Sequence, residues 1–168
     1  MVRDLMAGLP PAVRALVEMS PVEDFVQAVL AEALPGVNVQ TLIQPAQAFP
    51  LVLIRRYPQV GDWSGDTRFV DVADMIIHTF AEDPDGNEDA ALLAEAVRVV
   101  LRDAWLLNRI VPGRGHLVRY EMTSAPRRAT DWATATGPVQ YADLPSGVWR
   151  YETLFRLAVR KPKTKPFS

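Results

Sequence analysis

The chain has 168 residues and a mass of 18.7 kDa, with 49% hydrophobic and 23% charged residues; this composition excludes a disordered or fibrous chain and suits one domain that buries about 70% of its unfolded surface. It has no cysteine and only two histidines, His78 and His116, which excludes thiol catalysis, disulfides and cysteine-based metal sites and leaves no cofactor or His-rich metal centre to expect. The net charge of −2 hides an asymmetry: Asp62 to Asp103 holds eleven acidic residues against Arg68, Arg98 and Arg102, a local −8, while Gly147 to Ser168 holds three arginines and all three lysines against Glu152, a local +5.

In chain order, residues 1–20 read as an N-terminal arm carrying a short helix from Pro11 to Met19, with Val13, Leu16 and Val17 on its apolar side. Residues 21–160 read as a single α+β domain and residues 161–168 as a basic tail. The segment "SPVEDFVQAVLAEALPG" has the signals of a complete helix: Ser20 as N-cap, Pro21 in the first turn, Glu23 closing a capping box, and Pro35-Gly36 as the stop. Val22, Phe25, Val26, Val29, Leu30 and Ala33 form its apolar stripe.

Strands are expected from Val37 to Ile43 and from Leu51 to Tyr57, the latter too apolar for an exposed strand. A turn-rich loop, "PQVGDWSGD", presents Trp63 before the next extended run, Arg68 to Phe80. A second helix is expected from Glu88 to Leu107, capped by Asn87, with Leu93, Val97, Val100, Ala104 and Leu107 as its stripe. His116 to Thr123 reads as a strand. Val148 to Arg160 alternates most clearly, with Trp149, Tyr151, Thr153, Phe155, Leu157 and Val159 on one face and Arg150, Glu152, Arg156 and Arg160 on a wet or paired one. Between them lies a long loop, Ser124 to Gly147, expected to be mobile until a partner orders it. The sum is an α+β fold: an antiparallel or mixed β-sheet with two main α-helices packed on one face and a long loop between the last strands.

Little in the chain signals catalysis. Asp71, Asp74 and His78 have suggestive spacing, but on a strand Asp71 faces away and the other two stand about 13 Å apart, too far to share a metal. Neither "GDWSGD" nor "PGRGH" fits a nucleotide-binding glycine loop, and there is no G-x-S-x-G. A small acid/base enzyme therefore remains only as the opposing class. No run of about 18 apolar residues is present and "MVRDLMAGLPP" lacks a signal-peptide core, so neither export nor membrane contact is expected. Interface anchors are better candidates: Trp63, Arg127, Arg128, Trp132 and Tyr141 in loops, and Lys161, Lys163 and Lys165 in the tail; a nucleic-acid surface built from Arg55-Arg56 and Arg127-Arg128 with the nearby Tyr57 and Trp132, or from the basic tail, ranks below protein contact.

The order "FPLVLIRRY", a Gly-Asp loop, "DTRFVDVADMIIHTFAED", "AALLAEAVRVVLRDAW" and a late "VWRYETLFRLAVR", covering about Pro21 to Lys161, resembles the tail-terminator proteins of long-tailed, non-contractile phages. The resemblance implies a non-enzymatic virion protein, assembled in the host cytoplasm and located at the neck-proximal end of the tail. It would form a homohexameric ring that binds the last ring of the major tail tube protein, stops its polymerisation and presents a surface to the head-completion or connector protein. Viral DNA would pass through the lumen without sequence-specific binding. Another neck protein or a tube-like subunit is the alternative within phage biology. Fifteen arginines against three lysines fit a GC-rich actinobacterial host.

Overall fold

A computed structural model describes residues 8–10, 21–42, 44, 47–57, 69–129 and 147–161. Helix α1 (Val22–Ala33) is followed by strands β1 (Asn38–Gln40), β2 (Leu51–Tyr57) and β3 (Val70–Glu82), helix α2 (Gly86–Leu106), and strands β4 (Ile110–Val111), β5 (Gly115–Arg128) and β6 (Val148–Arg160). The six strands form one mixed sheet in the order β1-β2-β3-β6-β5-β4. Only β1 and β2 are parallel. Strand β6 inserts between β3 and β5 and pairs with β3 without a break, from Val70 opposite Arg160 to Glu82 opposite Val148. This is the α+β arrangement that the sequence implied, with both helices on one face.

The core lies between the helices and that face. Val22, Phe25, Val26, Val29 and Leu30 of α1 and Leu93, Val97, Leu101 and Ala104 of α2 pack on Val52, Ile54, Ala73, Met75, Ile77, Leu117, Phe155, Leu157 and Val159 of the sheet. Each of the larger side chains contributes about 1.5–3 kcal/mol by leaving water. Trp105 of α2 stacks on Tyr120 of β5, with ring centroids 6.1 Å apart, and Tyr120 leans on Phe155. On the rear face Leu51, Leu53 and Phe80 form a second, smaller apolar cluster.

Several expected details differ. The start of α1 is not closed by a capping box: Pro21 holds the N-cap position without a side-chain bond, and Ser20 and the Pro11–Met19 helix lie outside the described residues. The first helical N–H, that of Val22, donates instead to Asp71 Oδ2 of β3 at 2.9 Å. Glu23 is taken by Arg56 of β2, which donates to both of its oxygens at 2.8 and 2.9 Å and also holds Asp71. Strand β1 is only three residues long, since its pairing with β2 stops at Gln40 opposite Leu53, and Leu42 is largely exposed. The third strand is shifted two residues later than expected.

Helix α2 begins at Gly86, with Asp85 rather than Asn87 at its N-cap. Its buried stripe runs through Leu101, while Leu107 is 79% exposed. The reason is helical periodicity: Leu93, Val97, Leu101 and Ala104 keep one face, and Leu107 has already left the helix. Asn108 then adopts a left-handed φ of 47° and Arg109 N–H reaches back to the Ala104 carbonyl, a helix stop that satisfies the last carbonyls.

Strand β5 runs five residues beyond Thr123, to Arg128, so Ser124 to Arg128 belong to the sheet and not to a loop. Its register against β6 slips between Leu117 and Arg119, Met122 and Ser124, and Ser124 and Arg127. Each bulge inserts a residue and breaks the alternation that marks a strand, and Pro126 sits in the last of them. Residues 130–146 of the expected loop lie outside the described residues. In β6 the alternation holds only in part: Arg150, expected on the wet or paired face, is buried at 8% exposure, Ala158 on that same face is buried too, and Trp149 is only half-buried.

Candidate protein interface

Three of the expected interface residues, Arg127, Arg128 and Lys161, are described, and they fall at two separate ends of the sheet. Arg127 and Arg128 lie at the end of β5, on opposite faces because adjacent strand residues alternate. Arg127 faces the rear and donates from Nε to Glu152 Oε1 of β6 at 2.8 Å, leaving its side chain 64% exposed. Arg128 faces the helices and lays its guanidinium 4.2 Å from the centre of the Trp149 ring. Trp149 Nε1 donates to Asp83 Oδ1 at 2.7 Å, and Asp83 N–H donates to the Gly147 carbonyl. Arg128, Trp149 and Asp83 thus clamp the end of the β5–β6 pair to the turn that starts α2. That clamp depends on Gly86, where a Cβ would collide with Trp149 Cδ1.

Lys161 is at the far end of β6, where its N–H donates to the Phe69 carbonyl at 2.9 Å. Nine residues of strand from Glu152 place it about 30 Å from Arg127. Trp63, Trp132, Tyr141, Lys163 and Lys165 lie outside the described residues.

Asp71, Asp74 and His78 serve three different purposes. Asp71 faces the helices and caps α1. The combined hydrogen bonds and charges of Glu23 and Asp71 raise the Arg56 pKa well above its ordinary value, against the lowering effect of partial burial. Asp74 faces the rear and accepts two hydrogen bonds from Arg156, directly opposite on β6, at 2.7 and 3.1 Å. His78, also on the rear, is 4% exposed; burial, reinforced by the nearby Arg150 and Arg55, pushes its pKa down to about 3, so the ring is neutral near pH 7. Among the described residues no group of three His, Asp or Glu side chains could hold a metal ion, and no helix is long and apolar enough to cross a membrane.

Two features emerge only from the fold. One is a pair of incomplete edges. At one side of the sheet β1 covers only Leu51 to Leu53 of β2, so no described strand pairs with the outer edge of Ile54–Tyr57. At the other side β4 covers only Gly115 and His116, so no described strand pairs with the outer edge of β5 from Leu117 to Arg128. Val118, Arg119, Glu121, Met122 and Thr123 on that edge are exposed. The other feature is an open groove of about 420 Å³ beside the first half of α2, lined by Phe49, Pro50, Ala81, Leu92, Leu93 and Ala96 with Glu82 and Asp89 at its lip. Asp85 and Glu88 stand exposed nearby on the same turn. The acidic run hinted at the second, but Phe49 and Leu92 are 43 positions apart and only the fold joins them. No protein-family model and no curated protein matches this chain, so what it does has to be read from its own surfaces.

Proposed function

We propose that this chain is a structural phage-tail protein of the tail-terminator kind, a subunit that closes into a homohexameric ring, caps the tube of the major tail protein and offers its other face to the head-side connector. The observation that carries this reading is the pair of incomplete edges at opposite sides of a single sheet. Two different edges that complement one another make a heterologous, head-to-tail contact, and such a contact yields a ring when its rotation closes. The long edge of β5 is protected against indiscriminate pairing by three register shifts, by Pro126 and by the exposed charges Arg119, Glu121 and Arg127. That combination selects one partner in one register. On the rear face, the pairs Asp74–Arg156 and Glu152–Arg127 are spent within the subunit and hold β3, β6 and β5 together.

The test is assembly. Sedimentation of the purified chain, alone and with polymerising tail-tube subunits, should reveal a species of about 112 kDa, six copies of 18.7 kDa. Electron micrographs should show rings at tube ends, and tubes should shorten as the chain is added. A chain that stays monomeric and leaves tube length unchanged refutes the proposal.

A further inference from the structure

We propose that the groove beside α2 receives the basic tail of a second copy of this chain, with Phe167 seated on the apolar floor and Lys163 and Lys165 against the acidic lip. The groove joins two complementary chemistries. Its floor is Phe49, Leu92, Leu93 and Ala96, with Leu92 67% exposed. Its rim is Glu82 and Asp89, with Asp85 and Glu88 beside them, and none of these four carboxylates enters an ion pair among the described residues.

The segment Lys161 to Ser168, "KPKTKPFS", is its chemical complement. It holds every lysine of the chain, one aromatic residue and no acid. In an extended chain Lys163, Lys165 and Phe167 project to the same side, because they are two residues apart. Pro162 and Pro166 bias the residues before them toward that extended form, which reduces the ordering cost of docking.

Reach decides that the occupant is another copy. Lys161 is tied to Phe69, at the Val70 end of β3, whereas the groove is built around Ala81 and Glu82 at the opposite end. Thirteen strand residues separate the two ends, about 40 Å. Six residues from Lys161 to Phe167 span at most about 20 Å. A subunit's own tail therefore falls short of its own groove by half the distance, and the contact has to run from one molecule to the next.

This inference rests on the ring reading only in requiring neighbouring copies, and its test separates the two. Self-association of the full-length chain is measured by sedimentation for the wild type and for F167A, K163E/K165E and L92R. Leu92 is mostly exposed, so L92R is compatible with folding, which circular dichroism checks. Each variant should raise the dissociation constant about 30-fold, the loss typical of one anchor. Adding E82K and D89K to K163E/K165E should restore association. A mixture of F167A, which keeps its groove, with L92R, which keeps its tail, should associate better than either alone through the one contact still intact. Wild-type association should weaken as salt rises from 0.1 to 1 M and the screening length falls from about 10 to about 3 Å. The proposal is overturned if F167A associates like the wild type, if L92R alone weakens association so that another segment fills the groove, if charge reversal is not rescued, or if the wild type stays monomeric in low salt. Tail variants that still form rings on tubes would sink this inference and leave the ring reading standing. Tail-dependent assemblies that leave tubes uncapped would do the reverse.

Discussion

Replacing Asp71 separates two roles of one carboxylate. Asp71 Oδ2 accepts the Val22 N–H at 2.9 Å and also takes Arg56 Nη2 at 2.6 Å. Asp71→Ala removes both, while Asp71→Asn keeps an oxygen acceptor for the helix and removes the charge. A lost helix cap costs about 1 kcal/mol. The ion pair is discounted to at most about 1 kcal/mol, because the Arg56 side chain is 39% exposed and retains Glu23. Asp71→Ala should therefore destabilise by about 2 kcal/mol and Asp71→Asn by about 1 kcal/mol, lowering Tm by about 4–8 °C and 2–4 °C at this chain length. Urea unfolding followed by circular dichroism reads both, and a cycle with Arg56→Ala isolates the charge contribution. If Asp71→Asn costs as much as Asp71→Ala, the helix gains nothing from the carboxylate's position. If Asp71→Ala costs under about 0.5 kcal/mol, neither role is real.

Two further outcomes are expected. Gly86→Ala places a methyl group against Trp149 Cδ1 and, at 3.0 Å, the Ala81 carbonyl oxygen, and should cost about 1–3 kcal/mol by overpacking, a penalty that shrinks in a Trp149→Ala background to what the Ala81 contact leaves; a cost of equal size there would show that Trp149 is not the main obstacle. Stability should also fall on acidification through His78, whose folded pKa lies near 3, below the ordinary value of 6.5. The unfolded chain then binds a proton that the folded one does not, so this contribution is whole above about pH 6.5 and is lost as pH falls toward 3, by about 3 kcal/mol at pH 4.5. The charged neighbours are Arg150, Arg55 and, opposite on β6, Glu152, which is paired with Arg127. Denaturation of His78→Gln and of the wild type across that range should diverge, and parallel loss would mean other groups drive the acid response.

Local patterns were enough to find the elements that bury one regular face. Leu51–Tyr57 and Val148–Arg160 coincide with β2 and β6 to the residue, and α1 and α2 were found from their apolar stripes, because period two and period 3.6 are properties of neighbouring residues. The α+β class followed from their order. Where the chain departs from a regular period the signal failed: the bulges of β5 disguised Ser124 to Arg128 as loop, and the stripe of α2 was carried one residue past the helix end to Leu107.

What only the tertiary structure decided is which distant residues meet. The start of α1 is capped from 49 residues away, Arg150 is buried although it is charged, and Arg128 rests on Trp149 across the sheet. The acidic segment was plain in the sequence, but only the fold brings Phe49 and Leu92 together in a groove beside it and sets that groove about 40 Å along β3 from Lys161. Charge and periodicity are carried by adjacent residues, whereas caps, clamps and grooves are formed by contacts between remote ones, and those exist only once the chain has folded.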